Sequence, residues 1–138
     1  MSLLARVVLP FAVVVAVTAG TASASSPLPR LLSCSGKALL RPNGLVVLAC
    51  ADANSEIRTT RWQTWTLTQA TGTTDFGLNL CTPTCAQSAI TFFPQSRVVL
   101  TGVTQTARGP LFSRAVITYT AAGKRKTFVA YPPTRPLR

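Results

Sequence analysis

Short apolar and polar segments alternate along the chain from Lys37 onward, in a pattern that is typical of β-strands rather than helices. β-Branched and aromatic residues are frequent in IRTTRWQTWTL and in the later segments SAITFF, RVVLTGVTQT, LFSRAVITYT and KTFVAY. Clusters of glycine, proline, asparagine and threonine separate these segments. The spacing predicts an all-β fold, a small antiparallel β-sandwich or barrel of about 7–8 strands with almost no helix.

The two tryptophans, Trp62 and Trp65, lie three positions apart. Successive side chains of a regular strand point to opposite faces, so this spacing places the two rings on opposite faces of a sheet. One ring should then lie in the core with Ile57 and Leu67, and the other should be exposed or cover the sheet edge. By the same alternation, we expect one face to hold the apolar residues of FGLNL, which are Phe76, Leu78 and Leu80.

The tetrapeptide RPNG, residues 41–44, is a strong turn signal between the apolar segments KALL and GLVVLAC. Pro42 presets φ for the first turn position, and Asn43 and Gly44 tolerate the conformations that follow. We therefore predict a hairpin in which the two flanking segments pair with each other.

The four cysteines allow three disulfide pairings, and spacing alone does not choose among them. The predicted RPNG hairpin brings Cys34 within one residue of the position opposite Cys50, and Cys81 and Cys85 enclose only the tripeptide TPT. We therefore predict the pairs Cys34–Cys50 and Cys81–Cys85. A redox pair or half a metal site is the alternative for CTPTC, but redox pairs typically have the Cys-X-X-Cys spacing and the chain contains no histidine.

The first 24 residues differ from the rest of the chain. Arg6 precedes the apolar run VVLPFAVVVAVTAG, and small residues follow up to Ala24. This order predicts a Sec-type signal peptide with cleavage after Ala24, and hence a secreted protein in the extracellular space or cell wall. The apolar run is shorter than the roughly 20 residues that a spanning helix needs, so no transmembrane anchor is expected after cleavage.

The mature chain is expected to form one domain. We predict a signal peptide at residues 1–24, a flexible mature amino terminus at 25–31, a single β domain at 32–131 and a Pro/Arg-rich tail at 132–138. The two ends combine proline with charge and lack a core pattern.

The chain is strongly basic, with 14 lysines and arginines against three acidic residues and a net charge of +11. The acids are Asp52, Glu56 and Asp75. Because so few bases can be paired internally, the surface is expected to attract polyanions at low salt. The simpler explanation, that the charge keeps an apolar chain soluble, stays open.

Two groups of residues are candidates for ligand binding. An exposed tryptophan beside Arg58 and Arg61 could stack on a sugar ring or a base, although packing in the core or at an edge is its more common role. The basic run after Gly123 lies near a predicted hairpin turn, where a solvated turn is the alternative. The candidate residues are Arg58, Arg61, Trp62, Trp65, Lys124, Arg125 and Lys126.

Catalytic and metal-binding patterns are weak in this sequence. Without histidine, no Ser-His-Asp or Cys-His arrangement can form. The segment DANSE resembles the start of a calcium loop, but Ile57 stands where that loop needs glycine and Gln63 where it needs a bidentate acid. We instead expect Asp52 and Asn54 to form an Asx turn, and we expect neither a metal, nor a cofactor, nor an enzyme.

Four short motifs occur in a characteristic order: LACADAN at 48–54, Trp-X-X-Trp at 62–65, ATG at 70–72 and NLCTPTCA at 79–86. In this order they resemble a group of small secreted four-cysteine proteins of actinobacteria of unknown function. The resemblance implies an actinobacterial source and an exported β-rich domain, and it implies no known activity.

These features together predict a secreted, non-catalytic binding or structural protein. Its expected partner is anionic cell-envelope material or another secreted protein, with no specific nucleic acid. The alternative is a secreted protease inhibitor that presents the loop between Cys81 and Cys85 to an enzyme cleft. A glycan hydrolase is a third hypothesis, and it requires Asp52 and Glu56 to flank a cleft at a separation of about 5 to 9 Å.

Overall fold

The computed structural model describes residues 25–135. Within that range the chain forms eight β-strands and no α-helix, so the predicted all-β class and strand number are confirmed. The predicted signal peptide at 1–24 and the end of the predicted tail, residues 136–138, lie outside the described residues. The strands are β1 (Leu31–Leu32), β2 (Ala38–Leu39), β3 (Val46–Val47), β4 (Ser55–Trp65), β5 (Ala70–Asn79), β6 (Ile90–Thr106), β7 (Gly109–Ala121) and β8 (Lys124–Ala130).

Six of the strands form one antiparallel sheet in the order β3-β4-β5-β6-β7-β8, so each strand pairs with its neighbours in the chain. This meander curls into a half-barrel whose two edges are β3 and β8. The short strands β1 and β2 form a second, two-stranded sheet. In the described part of the chain, no helix is long and apolar enough to cross a membrane.

Two β-bulges bend the sheet at one point of β5. The register of β4 shifts between Arg58, which lies opposite Asp75, and Arg61, which lies opposite Thr73. On the other side of β5, the register with β6 shifts between Thr74 and Phe76, the two neighbours of Asp75. Thr59 in the first bulge and Gln95 in the second have φ values of 51° and 54°. Bulges increase local twist and bending, so this pair accounts for the curl of the sheet.

The core lies on the inner face of the curled sheet. A row of five residues, one from each strand from β4 to β8, occupies consecutive register positions, and every member is buried. Three members are alanines, which leave room for the large rings beside them. Each large apolar side chain buried here stabilises the fold by about 1.5–3 kcal/mol. The row consists of Trp65, Ala70, Leu100, Ala115 and Ala130.

The folded unit begins earlier than the predicted boundary at residue 32. Leu31 is fully buried, Pro29 is buried and Leu28 packs against the core. The Nε1–H of Trp65 donates a 2.8 Å hydrogen bond to the Pro29 carbonyl oxygen. The prediction of a flexible segment at 25–31 is therefore wrong for residues 28–31. The prolines and polar residues of this segment suggested a linker, but its apolar side chains pack in the core.

Arg30 attaches this segment to β7. Its N–H donates to the Pro110 carbonyl at 3.0 Å, and its carbonyl accepts from the Phe112 N–H at 2.9 Å. Strand β8 pairs with β7 only from Ala115 onward, so Arg30 occupies a stretch of β7 that β8 does not reach.

The predicted RPNG hairpin does not form. Strand β2 pairs with β1, and β3 pairs with β4, where Val46 lies opposite Ile57. A tighter turn precedes RPNG, because the Ser33 N–H donates to the Lys37 carbonyl at 2.9 Å and Gly36 has a φ of 79°. That turn pairs β1 with β2 and leaves RPNG as a connection between the two sheets.

Both predicted disulfides are present. The bond between Cys34 and Cys50 has an S–S distance of 2.09 Å and a Cα–Cα distance of 5.4 Å. Cys81 and Cys85 are also bonded, and no free cysteine remains in the described chain. The first bridge joins the β1–β2 turn to the segment after β3. The two cysteines are therefore close together although the RPNG hairpin that was predicted to pair them does not form.

Leu67, which was expected in the core, is 51% exposed, whereas Ile57 is fully buried as predicted. Leu80, which was expected to share a face with Phe76, is 50% exposed, whereas Phe76 is fully buried. Leu67 follows the end of β4 and lies in a turn, and Leu80 follows the end of β5. For these residues, alternation of side chains therefore predicted the buried face correctly within each strand and failed beyond the strand's end.

Candidate anion-binding site

The two tryptophans lie on the same inner face of the sheet, and the prediction of opposite faces is wrong. A register shift between Trp62 and Thr64 gives β4 one extra residue, which reverses the alternation before Trp65. Trp65 is 6% exposed, and Trp62 packs partly buried against the core. Their ring centroids are 4.7 Å apart at 88°.

The RPNG connection covers Trp62, because its Nε1–H donates a 2.8 Å hydrogen bond to the Pro42 carbonyl. Trp65 is too buried to stack on a sugar ring or a base, and the indole N–H of the half-buried Trp62 is already bonded within the protein.

A row of polar side chains crosses the outer face of the sheet from β4 to β8. Its members occupy consecutive register positions and alternate with inner-face residues such as Trp62 and Val98. Neighbouring strands lie about 4.8 Å apart, so the two arginines of the row, two strands apart, are about 10 Å apart along it. We call this set the arginine row, and it consists of Arg61, Thr73, Arg97, Thr118 and Thr127.

A notch opens in this face where β6 and β7 separate. Their pairing ends at Arg97 and Thr118, whereas β7 continues to Ala121 and pairs there only with β8. The bulge at Gln95 bends β6 away from β7 at this point. The notch has a volume of about 760 Å³. Its polar lining includes Gln95, Arg97, Thr118, Thr120, Arg125 and Thr127.

A second depression of about 310 Å³ adjoins the notch, and Gln95 lines both. Arg61 and Thr73 line it, so the arginine row passes through both depressions. Asp75 also lines the second depression, where its Oδ2 accepts a 2.7 Å hydrogen bond from the Thr59 hydroxyl. Apart from this carboxylate, the charged groups that line the two depressions are arginines.

The side chains of these depressions suit an oxyanion. A guanidinium group presents five N–H donors in a planar fork that matches phosphate and carboxylate groups, and it stays charged at every physiological pH. Threonine hydroxyls add donors that can bond to the remaining oxygens. Arg61, Arg97 and Arg125 together can therefore contact successive anionic groups of one extended polymer.

The predicted basic run at 124–126 divides between the two faces of β8. Register pairs Arg125 with Thr120, and Arg125 lines the notch with Thr127. Because side chains alternate along a strand, Lys124 and Lys126 point to the other face. The run follows a hairpin turn, as predicted, but it lies within β8 rather than in the turn itself.

The remaining predicted arginine, Arg58, has a different contact. Its guanidinium carbon lies 3.4 Å from the centroid of the Phe92 ring, a cation–π arrangement outside the notch. Sequence reasoning missed Arg97, Thr118 and Thr127. Alternation along RVVLTG gave a signal for Arg97, but only the cross-strand register shows that these residues line up with Arg61.

The loop between Cys81 and Cys85 is exposed but folded on itself. The Thr84 carbonyl accepts hydrogen bonds from the N–H groups of Gln87 and Ser88 at 3.3 and 3.0 Å. Asn79 Nδ2 donates to the Cys85 carbonyl at 2.8 Å. Main-chain recognition in peptide-binding clefts uses an extended segment, so this bent loop gives the inhibitor hypothesis little support.

Asp52 occupies the predicted Asx turn, where its Oδ1 accepts a 3.2 Å hydrogen bond from the Asn54 N–H. Glu56 lies separately on β4, opposite Val47 and Gly77. Within residues 25–135, no group of three or more aspartate, glutamate, cysteine or histidine side chains is arranged to hold a metal ion.

Comparison with known proteins gives no family. No protein-family model matches the chain, and neither a curated protein nor a solved structure is significantly similar to it. The resemblance to secreted actinobacterial proteins therefore stays a prediction, and the case for function rests on the site.

Proposed function

We propose that the protein is a secreted, non-catalytic binding module that attaches to anionic polymers of the cell envelope through its arginine row and the β6–β7 notch. The supporting observation is that Arg61 and Arg97 lie two strands apart in one row of the outer face, with Arg125 in the notch beside them and threonine hydroxyls in both depressions. Two disulfides fit an oxidising, extracellular compartment.

The arrangement favours a polymer over a small anion. The two depressions adjoin at Gln95, and among the described residues no buried charged side chain encloses a single group. A repeating anion can contact several arginines at once. Once one contact forms, the next anionic group is held close to the next arginine, so several weak contacts give a higher overall affinity. The excess of lysine and arginine over acidic residues attracts such a polymer from a distance, while the arginine row determines which face meets it.

The test is binding of the purified protein to poly(glycerol phosphate) and to a polyuronate, with neutral dextran as the control polymer. We expect binding to the two anionic polymers that falls steeply as salt rises from about 50 mM to about 200 mM. Incubation should leave the length of each polymer unchanged on size-exclusion chromatography, as a binding module requires.

Matched variants separate the arginines of the row and the notch from positive charge in general. The triple variant Arg61→Gln, Arg97→Gln and Arg125→Gln should bind more than about tenfold more weakly. A control triple variant loses the same charge at three lysines that line neither depression: Lys37→Gln, Lys124→Gln and Lys126→Gln. It should stay within about threefold of the unmodified protein. Equal losses in the two variants, or no binding at low salt, would contradict the proposal.

A further inference from the structure

The last strand of the large sheet, β8, has one unpaired edge. The sheet order places β8 at an end, with β7 as its neighbour on one side. Within residues 25–135, neither a strand nor an isolated bridge pairs with its other side. The backbone groups along that side can therefore bond to another chain.

Hairpin geometry identifies the unpaired groups. The turn between β7 and β8 consists of Ala122 and Gly123, and the flanking residues, Ala121 and Lys124, are register partners. Such flanking residues form a hydrogen-bonded pair, and hydrogen-bonded pairs then alternate along the ladder. Every second residue of β8 therefore bonds to β7, and the others direct N–H and C=O groups outward. The outward-directed residues are Arg125, Thr127 and Val129.

An apolar cleft of about 400 Å³ lies at the carboxyl end of this edge. We call it the seam cleft, because residues 49–51, which follow β3, face residues 128–131 across it. It marks the place where the half-barrel does not close. Val129 is 36% exposed here and Tyr131 is 72% exposed, so apolar surface adjoins the unpaired backbone groups.

The amino end of the same edge is strongly basic. Lys124, Arg125 and Lys126 are consecutive and exposed, and β8 contains no acidic residue. In an antiparallel pair of two β8 edges, the basic end of each copy would lie opposite the uncharged carboxyl end of the other, so a second copy offers these charges no partner. Charge complementarity instead favours an acidic chain at this end.

We propose that the β8 edge and the seam cleft form a docking site for an extended acidic segment of another protein, which adds a strand to the sheet. The segment binds antiparallel to β8, with a large apolar side chain at the seam cleft and an acidic side chain at the basic end. Backbone hydrogen bonds to Thr127 and Val129 provide affinity, and the two side chains provide specificity.

The register of β8 sets the spacing of the partner's two side chains. In an antiparallel strand, the residues opposite Val129 and Arg125 are four positions apart and share a face, at a distance of about 13 Å. The apolar residue comes first in the partner chain, and the acidic residue follows four positions later.

A designed peptide tests this docking site. The probe is a capped, fluorescently labelled peptide of alternating threonine and valine that carries one phenylalanine and a glutamate four positions later. We expect saturable binding to the purified protein by fluorescence anisotropy. Methylation of the peptide backbone nitrogens that face β8 should weaken binding at least about tenfold, because it removes donors and leaves every side chain in place. A lysine in place of the glutamate should also weaken it.

Variants of the protein locate the binding at the edge. Val129→Pro removes an outward N–H that β7 does not use, so it should abolish peptide binding while circular dichroism and thermal unfolding show an intact fold. Val129→Thr keeps the N–H and the branched side chain, and should retain binding. Arg61→Gln and Arg97→Gln change β4 and β6, away from the β8 edge, and should retain peptide binding, so this docking site and the polymer site can fail independently.

Three results would overturn the docking site. The first is the absence of saturable binding by the unmodified peptide, and the second is equal binding by its N-methylated form. The third is a dimer of the purified protein in sedimentation that Val129→Pro dissociates, because a second copy would then occupy the edge. If Val129→Pro does not fold, the N-methylated peptide decides the question alone.

Discussion

The indole Nε1–H of Trp62 donates a hydrogen bond to the backbone carbonyl of Pro42, 20 residues earlier in the chain. This contact places the RPNG connection over the inner-face aromatic pair of Trp62 and Trp65. It explains two features of the sequence at once. RPNG bridges two sheets instead of closing a hairpin, and Trp62 packs against the core instead of facing away from it.

Removing that hydrogen bond should destabilise the fold measurably. Trp62→Phe keeps an aromatic ring but deletes the donor, so we expect a loss of about 1 kcal/mol in the free energy of unfolding, measured by urea denaturation. Leu67→Ala, in an exposed turn, is the matched control and should change the free energy by less than about 0.5 kcal/mol. A loss for Trp62→Phe no larger than that of the control would show that the contact with Pro42 contributes nothing.

Gly72 allows Trp62 to lie against β5. A Cβ added at Gly72 would lie 2.9 Å from Trp62 Cε3 and 3.1 Å from the Arg61 carbonyl oxygen. Gly72→Ala should therefore force the ring or the strand to move and cost about 1–3 kcal/mol. At Gly44 an added Cβ has no neighbour within 4 Å, so Gly44→Ala should be close to neutral in the same unfolding experiment. Equal effects of the two substitutions would contradict the close packing.

The fold class could be predicted from the sequence because alternation and turn residues act locally. The positions of Ile57 and Phe76 followed from that alternation, and so did the number of strands. The faces of Trp62 and Trp65 did not follow, because one bulge reverses the alternation and no single-strand pattern shows it. Strand ends caused the errors at Leu67 and Leu80.

The candidate site was predictable only in its chemistry. The excess of arginine and lysine indicated an anionic partner, and Arg61 and Arg125 were among the predicted residues. Arg97 became part of the site only through the cross-strand register of β5, β6 and β7. Lys124 and Arg125 point to opposite faces because β8 already begins at Lys124. The sequence did not show whether these residues belong to the strand or to the turn before it.

The amino-terminal segment should contribute to stability, although it resembles a linker. Deleting residues 25–30 removes the two hydrogen bonds of Arg30, the acceptor for Trp65 and the apolar contact of Leu28. We expect a loss of about 3 kcal/mol in the free energy of unfolding. Deleting only residues 25–27, which are exposed, should have little effect. Equal stability of the two truncated proteins would restore the predicted boundary at residue 32.

Removing the buried hydroxyl group of Thr74 should lower the stability of the fold, whereas removing that of Ser55 should not. The Oγ1 atoms of Thr60 and Thr74 are 2.9 Å apart in the core, so Thr74→Val leaves a buried hydroxyl without this partner and should cost about 1–3 kcal/mol. Ser55 is 1% exposed, and its Oγ has no hydrogen-bond partner among the described residues. Ser55→Ala should therefore be neutral or stabilising by about 1 kcal/mol. Calorimetric melting of both variants measures the contrast, and a large loss for Ser55→Ala would show that its hydroxyl is needed.

The two disulfides should differ in their contribution to stability. Cys34 and Cys50 are 16 residues apart, and Cys81 and Cys85 are four apart. Because closing a longer loop restricts the unfolded chain more, the first bridge should contribute about 3 kcal/mol and the second about 2 kcal/mol. The double variants Cys34→Ala/Cys50→Ala and Cys81→Ala/Cys85→Ala test this order by denaturant unfolding. The first bridge also joins the β1–β2 turn to the chain beside the seam cleft, so its loss should increase amide hydrogen exchange at residues 49–51 as well. A larger loss from the second pair would mean that native contacts around the 81–85 loop, rather than loop closure, determine the order.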